Sequence, residues 1–328
     1  MLRHSLAALL LILSPALALV AGCGDEHGST TATTARVVSE RLVDARTRDL
    51  EIESPALGQT VGVRLLLPTD WSEHGRRWPV LYVLHGAEAL GATPPANYLS
   101  WSERTRIAEL TADSDVLVVM PEGGNVGWYS DWYNDGAGGP PGWETFHLVE
   151  LREILERFYR AGDRRAIAGL SMGGFGAASY AARQVGMFQA VAAYSAPLTS
   201  LQPLAQTIIT VSLSLQRFDR NALWGDPARQ AEIWAAHDPF SLAANLKEIP
   251  VFVSSGNGDP GPFDAPGTGT DGLESAALQS SQLFAGHLAG LGGNVTTDFY
   301  GAGTHSWAYW DRELERSLPM LLEAIGAS

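Results

Sequence analysis

Cysteine is almost missing from this chain. Cys23 is the single one in 328 residues, so an internal disulfide is excluded. Positive charge is in deficit: 22 Lys and Arg against 36 Asp and Glu leave a net charge of −14. That balance argues against nucleic acid or an anionic surface as a partner. There is no His-Glu-x-x-His segment and no paired Cys/His spacing, so no metal site and no cofactor is expected. Internal repeats are missing too. A literal G-x-G-x-x-G occurs at Gly256, Gly258 and Gly261. A Pro/Gly-rich stretch follows it, where a nucleotide fingerprint requires the start of a helix. What is present is a 45% hydrophobic, 18% charged composition, which fits a globular chain with a real core.

The N-terminus reads as a targeting signal. Arg3 precedes an apolar run over residues 6–20, too short to span a bilayer comfortably. It ends Val20-Ala21-Gly22-Cys23, similar to a bacterial lipobox in which the cysteine is lipidated. The expected division is a signal peptide over 1–22, a polar tether over 23–40 and a catalytic domain over 41–328. Lipidated Cys23 places the protein on the outer face of the membrane or in the envelope; secretion is the alternative.

From about residue 50, strands and helices alternate. Expected strands are 50–53, 61–67, 80–85, 116–120, 165–170, 190–194, 251–255 and 296–300. The central ones are continuous apolar runs, as in parallel strands covered on both faces. Helix patterns occupy 101–110, 143–159, 172–183, 273–291 and 308–325. In 143–159, Leu148, Leu151, Leu155 and Phe158 form one apolar stripe. The order implies an α/β fold with a mostly parallel, doubly wound sheet and helices on both faces. The first two strands, joined near Gly58, should be antiparallel. Residues 198–246 interrupt the rhythm after the sixth expected strand. They are expected to cap the pocket over the strand ends, the alternative being a packing role alone.

The chemistry centres on Gly169-Leu170-Ser171-Met172-Gly173. G-x-S-x-G between a strand and a helix is the nucleophile elbow of α/β-hydrolases, which lifts the serine hydroxyl clear of the sheet. Ser171 needs a base, and His305 follows the last expected strand, where a loop brings it beside the elbow. The acid that orients the histidine should follow strand 251–255. Asp259, Asp264, Asp271 and Glu274 all qualify by position, and bare topology favours Asp259, nearest the strand end. The backbone N–H groups of Met172 and Ala87 are the candidate oxyanion donors. His85 should shape that loop, His27 and His74 should be exposed, and His147 and His237 should pack or cap. Candidate substrate contacts are Trp128 and Trp132 on an aromatic loop, with Trp101, Trp307 and His85. Rings with polar tips suit sugar faces and acyl chains; such a loop can equally be pinned to the core by its rings.

From about residue 50 onward the chain resembles the antigen-85 mycolyltransferases, within the esterase D-like branch of α/β-hydrolases. The carriers are Trp128-Tyr129-Ser130-Asp131-Trp132-Tyr133, Trp143-Glu144-Thr145-Phe146, Gly169-Leu170-Ser171-Met172, Trp224-Gly225, His237-Asp238-Pro239, Gly256-Asn257-Gly258 and the segment from Gly303 to Trp310, which contains Thr304-His305-Ser306-Trp307. The resemblance implies that the acid is the glutamate of Leu273-Glu274, with Asp259 second. It implies acyl transfer through an acyl-serine to a sugar or glycerol hydroxyl. One departure bears on the substrate. Trehalose-binding members carry Asp-Gly-Leu-Arg at the oxyanion loop, where this chain has His85-Gly86-Ala87-Glu88, as ordinary esterases do. The expected function is an envelope serine acyltransferase acting on an acyl ester or glycolipid. The alternatives are a carboxylesterase with the same triad and a non-catalytic lipoprotein that binds envelope glycolipid or protein.

Overall fold

The apolar runs of the sequence become the middle of one sheet. The structure is a computed structural model that describes residues 34–87 and 96–327. The expected signal peptide, Cys23, His27 and Glu88 lie outside the described residues. In chain order the strands are β1 (Arg36–Leu42), β2 (Thr47–Ser54), β3 (Gln59–Leu66), β4 (Trp78–Leu84), β5 (Leu117–Pro121), β6 (Ala161–Leu170), β7 (Ala190–Tyr194), β8 (Val251–Ser255) and β9 (Val295–Phe299). Among the described residues these nine strands form one sheet, ordered β1-β2-β3-β5-β4-β6-β7-β8-β9. β4 to β9 run parallel, while β1, β2, β3 and β5 pair antiparallel with their neighbours in that order. Gly58, at φ +64°, turns β2 into β3.

The helices are α1 (Ser100–Arg104), α2 (Ile107–Leu110), α3 (Trp143–Thr145), α4 (Arg152–Phe158), α5 (Met172–Arg183), α6 (Pro203–Leu215), α7 (Ala231–Ala235), α8 (Gly272–Gly290) and α9 (Trp307–Ile325). They cover both faces of the sheet. In β4, Val80, Tyr82 and Leu84 join a core with Leu151, Leu155 and Phe175 from the α4 and α5 side. Leu81 and Val83 join a second core with Trp101, Leu314 and Leu318 from α1 and α9. Every residue of β4 is buried, so the period-two alternation of a half-exposed strand is missing.

Several boundaries differ from the sequence expectation. β1 begins at Arg36, inside the expected tether of 23–40. Most of its residues are exposed, so it has no apolar face to announce it. The single helix expected over 101–110 is two. Thr105 adopts an extended conformation (φ −136°, ψ 171°), and its hydroxyl accepts the Ile107 N–H. The helix over 143–159 is α3 and α4 joined by a π-helical stretch, Phe146–Leu151. Leu148, Leu151 and Leu155 of its stripe are buried, but Phe158 is exposed. The 198–246 insertion divides its roles. α6 forms a cavity wall, whereas Trp224 and Trp234 are fully buried packing residues.

The elbow demands a close approach of α5 to the sheet. A Cβ on Gly173 would lie 2.2 Å from the Leu84 carbonyl oxygen, and one on Gly169 2.2 Å from that of Gly173. Small residues are therefore obligatory where β6 enters α5.

Candidate active site

Ser171 sits at φ 52° and ψ −122°, before the first turn of α5. That positive φ is strained for a residue with a Cβ, at a cost of about 1–3 kcal/mol. The surrounding structure holds it: the Ser171 N–H donates to the Tyr194 carbonyl at 2.8 Å, and the Phe175 N–H donates to the Ser171 carbonyl at 3.0 Å. The side chain is half-buried and opens into a cavity of about 840 Å3. His305, from the loop between β9 and α9, lines the same cavity.

Hydrogen bonds single out one of the four candidate acids. His305 Nδ1 lies 2.7 Å from Glu274 Oε2. Glu274 is fully buried, and its other oxygen collects donors. Ser195 Oγ donates at 2.8 Å, Ser255 Oγ at 2.9 Å, the Gly256 N–H at 2.6 Å and Tyr300 Oη at 3.4 Å. A buried carboxylate survives only with such partners. Asp271 couples the two parts of the site. Its Oδ1 caps α8 through the N–H groups of Leu273 and Glu274. Its Oδ2 accepts the His305 backbone N–H at 2.9 Å. Asp264 serves elsewhere, accepting from Thr304 Oγ1 and from Tyr309 Oη. Asp259, favoured by topology, is exposed and accepts from Asn257 Nδ2 at 3.0 Å. The chain after β8 loops outward before returning to α8, so nearness to the strand end in sequence does not become nearness to His305.

The candidate oxyanion loop is held by His85. The Gly123 N–H donates to His85 Nε2 at 2.8 Å, so the ring proton is on Nδ1, which donates to the Gly86 carbonyl at 2.7 Å. The carbonyl of Gly86 and the N–H of Ala87 belong to one planar peptide and point in opposite directions. Holding the first therefore aims the second. Tyr129 Oη donates to the His85 carbonyl at 2.9 Å and pins the strand end. A Cβ on Gly86 would come within 3.2 Å of Ser171 Cβ, so glycine lets this loop lie against the serine. Gly86, Ala87, Ser171 and Met172 all line the cavity.

A family model described as "Putative esterase" matches residues 54–321. The chain belongs to this esterase family. Esterase Rv1288 of Mycobacterium tuberculosis is 33% identical over 67% of the chain. The chain spans about half of that relative, 48% of its length. The diacylglycerol acyltransferase/mycolyltransferase Ag85B of Mycolicibacterium smegmatis is 31% identical, over 84% of the chain and 85% of its own length. Among solved structures, MPT51 (FbpC1) of M. tuberculosis superposes with a TM-score of 0.70 at 25% identity, over 86% of this chain and all of that one. The α/β-hydrolase fold and the resemblance to antigen-85 proteins stated from the sequence therefore stand.

Within this family fold, the expected substrate contacts separate into two groups. Trp128 and Trp307 line the cavity. Trp132, Trp101 and His85 do not. Trp132 is buried edge-on against Phe218 and donates to the Gly127 carbonyl. Trp101 is 1% exposed and packs behind Trp307 and Tyr194. His85 is 1% exposed beneath the oxyanion loop. Trp132 packs because the aromatic loop closes onto the α5 side of the core, Trp101 fills the core on the α9 side, and His85 places the loop that follows β4. His147 and His237 are also packing residues. Burial depresses the imidazole pKa of each to about 4, so both are neutral near neutral pH. His74 is exposed.

Sequence reasoning missed the residues that hold Glu274. Ser195 takes a positive φ of 47° at the end of β7. Its hydroxyl accepts from Trp310 Nε1 at 3.0 Å while donating to Glu274. Trp310 also stands edge-on to the His305 ring, 4.9 Å between centroids. Trp310 falls in the family-like segment 303–310, the one signal that pointed to it. Sequence reasoning also missed the apolar wall that α6 and α8 contribute, with Leu204, Ile208, Val211, Leu215, Leu273 and Leu283. In α6, Ile209 and Leu213 face the core, so the helix is apolar on both sides.

Proposed function

We propose that the protein is a serine acyltransferase of the cell envelope that works through an acyl-serine. Ser171 Oγ attacks the ester carbonyl while His305 Nε2 accepts its proton. Glu274 holds the Nδ1–H and stabilises the imidazolium. The N–H groups of Met172 and Ala87 receive the developing oxyanion, each contributing about 3 kcal/mol to the transition state. His305 then returns its proton to the departing alcohol. An acceptor hydroxyl of a sugar or glycerol, activated by the same imidazole, takes the acyl group and frees the serine.

The observation that carries this reading is the junction of two features: a Glu274–His305 pair at 2.7 Å, and a cavity holding Ser171 whose α6–α8 wall is aliphatic. Such a wall suits an acyl chain and keeps water from it. Carboxylester hydrolysis is the second reading, favoured by the similarity to Esterase Rv1288. The two share the acyl-enzyme and part only at its acceptor. Envelope location rests on the sequence around Cys23. Among the described residues no helix is long and apolar enough to cross a membrane.

The deciding experiment supplies a labelled acyl ester with sugar and glycerol acceptors and identifies the product. Acylated acceptor is the outcome expected; free acid alone makes the protein a hydrolase. In the same assay Ser171→Ala should lose activity by on the order of a million-fold. Activity within tenfold of wild type rules out the elbow serine.

A further inference from the structure

One buried acid lies close to the Glu274–His305 pair without belonging to it. Glu313 is fully buried on α9, about one turn beyond Trp310. Among the described residues neither of its carboxylate oxygens has a hydrogen bond, and the buried hydroxyl of neighbouring Ser254 has none either. Burying a carboxylate in this way is costly, and acyl transfer gives it no task. Arg312 Nη1 lies 3.1 Å from Glu313 Oε1. The same guanidinium donates to Asp298 Oδ2 at 3.0 Å, and its carbon lies 4.9 Å from the centre of the Tyr300 ring. Tyr309 stacks on that ring, with 5.4 Å between centroids and 4° between planes. Tyr300 Oη donates to Glu274 Oε1 at 3.4 Å, and Glu274 Oε2 lies 2.7 Å from His305 Nδ1. An unbroken line of contacts therefore runs from Glu313 to the imidazole.

We propose that Glu313 is a positioning residue for the Glu274–His305 pair: its negative charge fixes Arg312 against the Tyr300 ring and so keeps the Tyr300 hydroxyl on Glu274. This deepens the acyl-transfer reading and rests on it. Asp298 does not suffice for the task, because its Oδ2 is shared with Arg316 Nε at 2.6 Å. Glu313 is the second carboxylate that sets how the guanidinium lies. A cation against the ring and a second ring stacked on it leave the phenol little freedom to turn. The hydrogen bond to Glu274 is long, so a small movement breaks it. Burial, then the charges of Glu274 and Glu313, push the Tyr300 phenol pKa up, so the hydroxyl stays a donor. The electrostatic neighbours of Glu313 are Tyr194 on β7, Ser254 on β8, Asp298 on β9, Tyr300, and Arg312 and Arg316 on α9. Arg106 pairs instead with Asp311 and Glu315, about half a turn away on α9. Burial, then Asp298, pushes the Glu313 pKa up to about 7. The hold is therefore present above that pH and is lost as pH falls through it.

The test compares p-nitrophenyl ester turnover by wild type and Glu313→Gln at pH 8 and pH 5.5. The amide keeps the shape of the side chain without its charge. At pH 8 kcat should fall about tenfold with KM unchanged, the cost of slightly misplacing a reacting group. At pH 5.5, where wild-type Glu313 is itself neutral, the two should agree within about twofold. Urea unfolding at pH 8 should find the variant at least as stable as wild type, which separates the lost rate from misfolding. Arg312→Met breaks the same line from a less buried position and should show the same pH-dependent loss. Tyr300→Phe should lose a similar factor, and adding Glu313→Gln to it should cost nothing more. In Ser171→Ala, the proton NMR signal of the His305 Nδ1–H should show a titration step near pH 7 that added Glu313→Gln removes. If wild type turns over no ester, the acyl-transfer reading fails, and this signal still decides the positioning role. A kcat ratio equal at both pH values overturns the proposal. So does a Tyr300→Phe loss that adds in full to that of Glu313→Gln, or a His305 signal indifferent to Glu313.

Discussion

At the residue scale, the site depends on groups that each do two things. Asp271 caps α8 and holds the backbone of His305. Ser195 donates to Glu274 and accepts from Trp310. Glu274 links the helix start to the histidine ring. Such coupling makes substitutions unequal. Glu274→Gln should lower kcat by about 10^4-fold, because an amide cannot stabilise the imidazolium and favours the wrong tautomer. Asp259→Asn, on an exposed turn, should leave kcat within twofold of wild type. Steady-state kinetics on a p-nitrophenyl ester distinguishes them; the opposite ranking moves the acid to Asp259. Position along the chain favoured Asp259 because it counts residues after β8. Glu274 was one of four acids that qualified by position, and only family resemblance chose it over Asp259, since an outward loop separates it from the strand in sequence and not in space.

At the element scale, α6 is the piece that turns a hydrolase-like sheet into a cavity with an aliphatic wall. Its inner face packs through Ile209 and Leu213. Its outer face lends Leu204, Ile208, Val211 and Leu215 to the cavity. An apolar helix that is buried on one side only leaves its second face for a ligand. Ile208→Trp puts an indole into the cleft while keeping the residue apolar. The ratio of kcat/KM for long-chain over short-chain esters should fall about tenfold, a change of one or two methylene-sized contacts. An unchanged ratio means that the acyl chain lies elsewhere. The length of the 198–246 segment announced an insertion. Which of its faces meets the sheet was not legible, because both faces of α6 are apolar in the sequence.

At the scale of the whole molecule, three buried ionisable groups set an acid limit. Burial holds His147 and His237 at pKa values of about 4. Burial, then the charge of Asp298, pushes Glu313 up to about 7. Arg312 Nη1 lies 3.1 Å from Glu313 Oε1, yet neither carboxylate oxygen has a well-formed hydrogen bond. The depressed histidines take up protons more readily when unfolded, so each removes stability as pH falls below about 6.5. Each shift amounts to roughly 3 kcal/mol, somewhat less for half-buried His237. Glu313 acts in the opposite sense. Its contribution is fully present below about pH 4.5 and is lost as pH rises through 7. Two histidines outweigh one carboxylate, so these groups together cost about 2 kcal/mol between pH 6.5 and 4.5. Urea unfolding across that range should show the decline. Glu313→Gln should stabilise more at pH 8 than at pH 5; equal gains at both would mean that the carboxylate does not titrate as described.

The sequence by itself determined the parallel sheet, the elbow and the place of its histidine. Each is a local pattern: an apolar run, a set of glycines forced by sterics, a residue next to a strand end. The antiparallel start was legible from two strands joined at Gly58. β1 escaped because an exposed edge strand has no apolar alternation to read. Only the tertiary structure decided which carboxylate meets His305, and which tryptophans face the cavity and which fill the core. Those are contacts between segments far apart in the chain, made by packing, and a ring or a carboxyl group reads the same in sequence whether the fold turns it inward or leaves it at a cavity's edge.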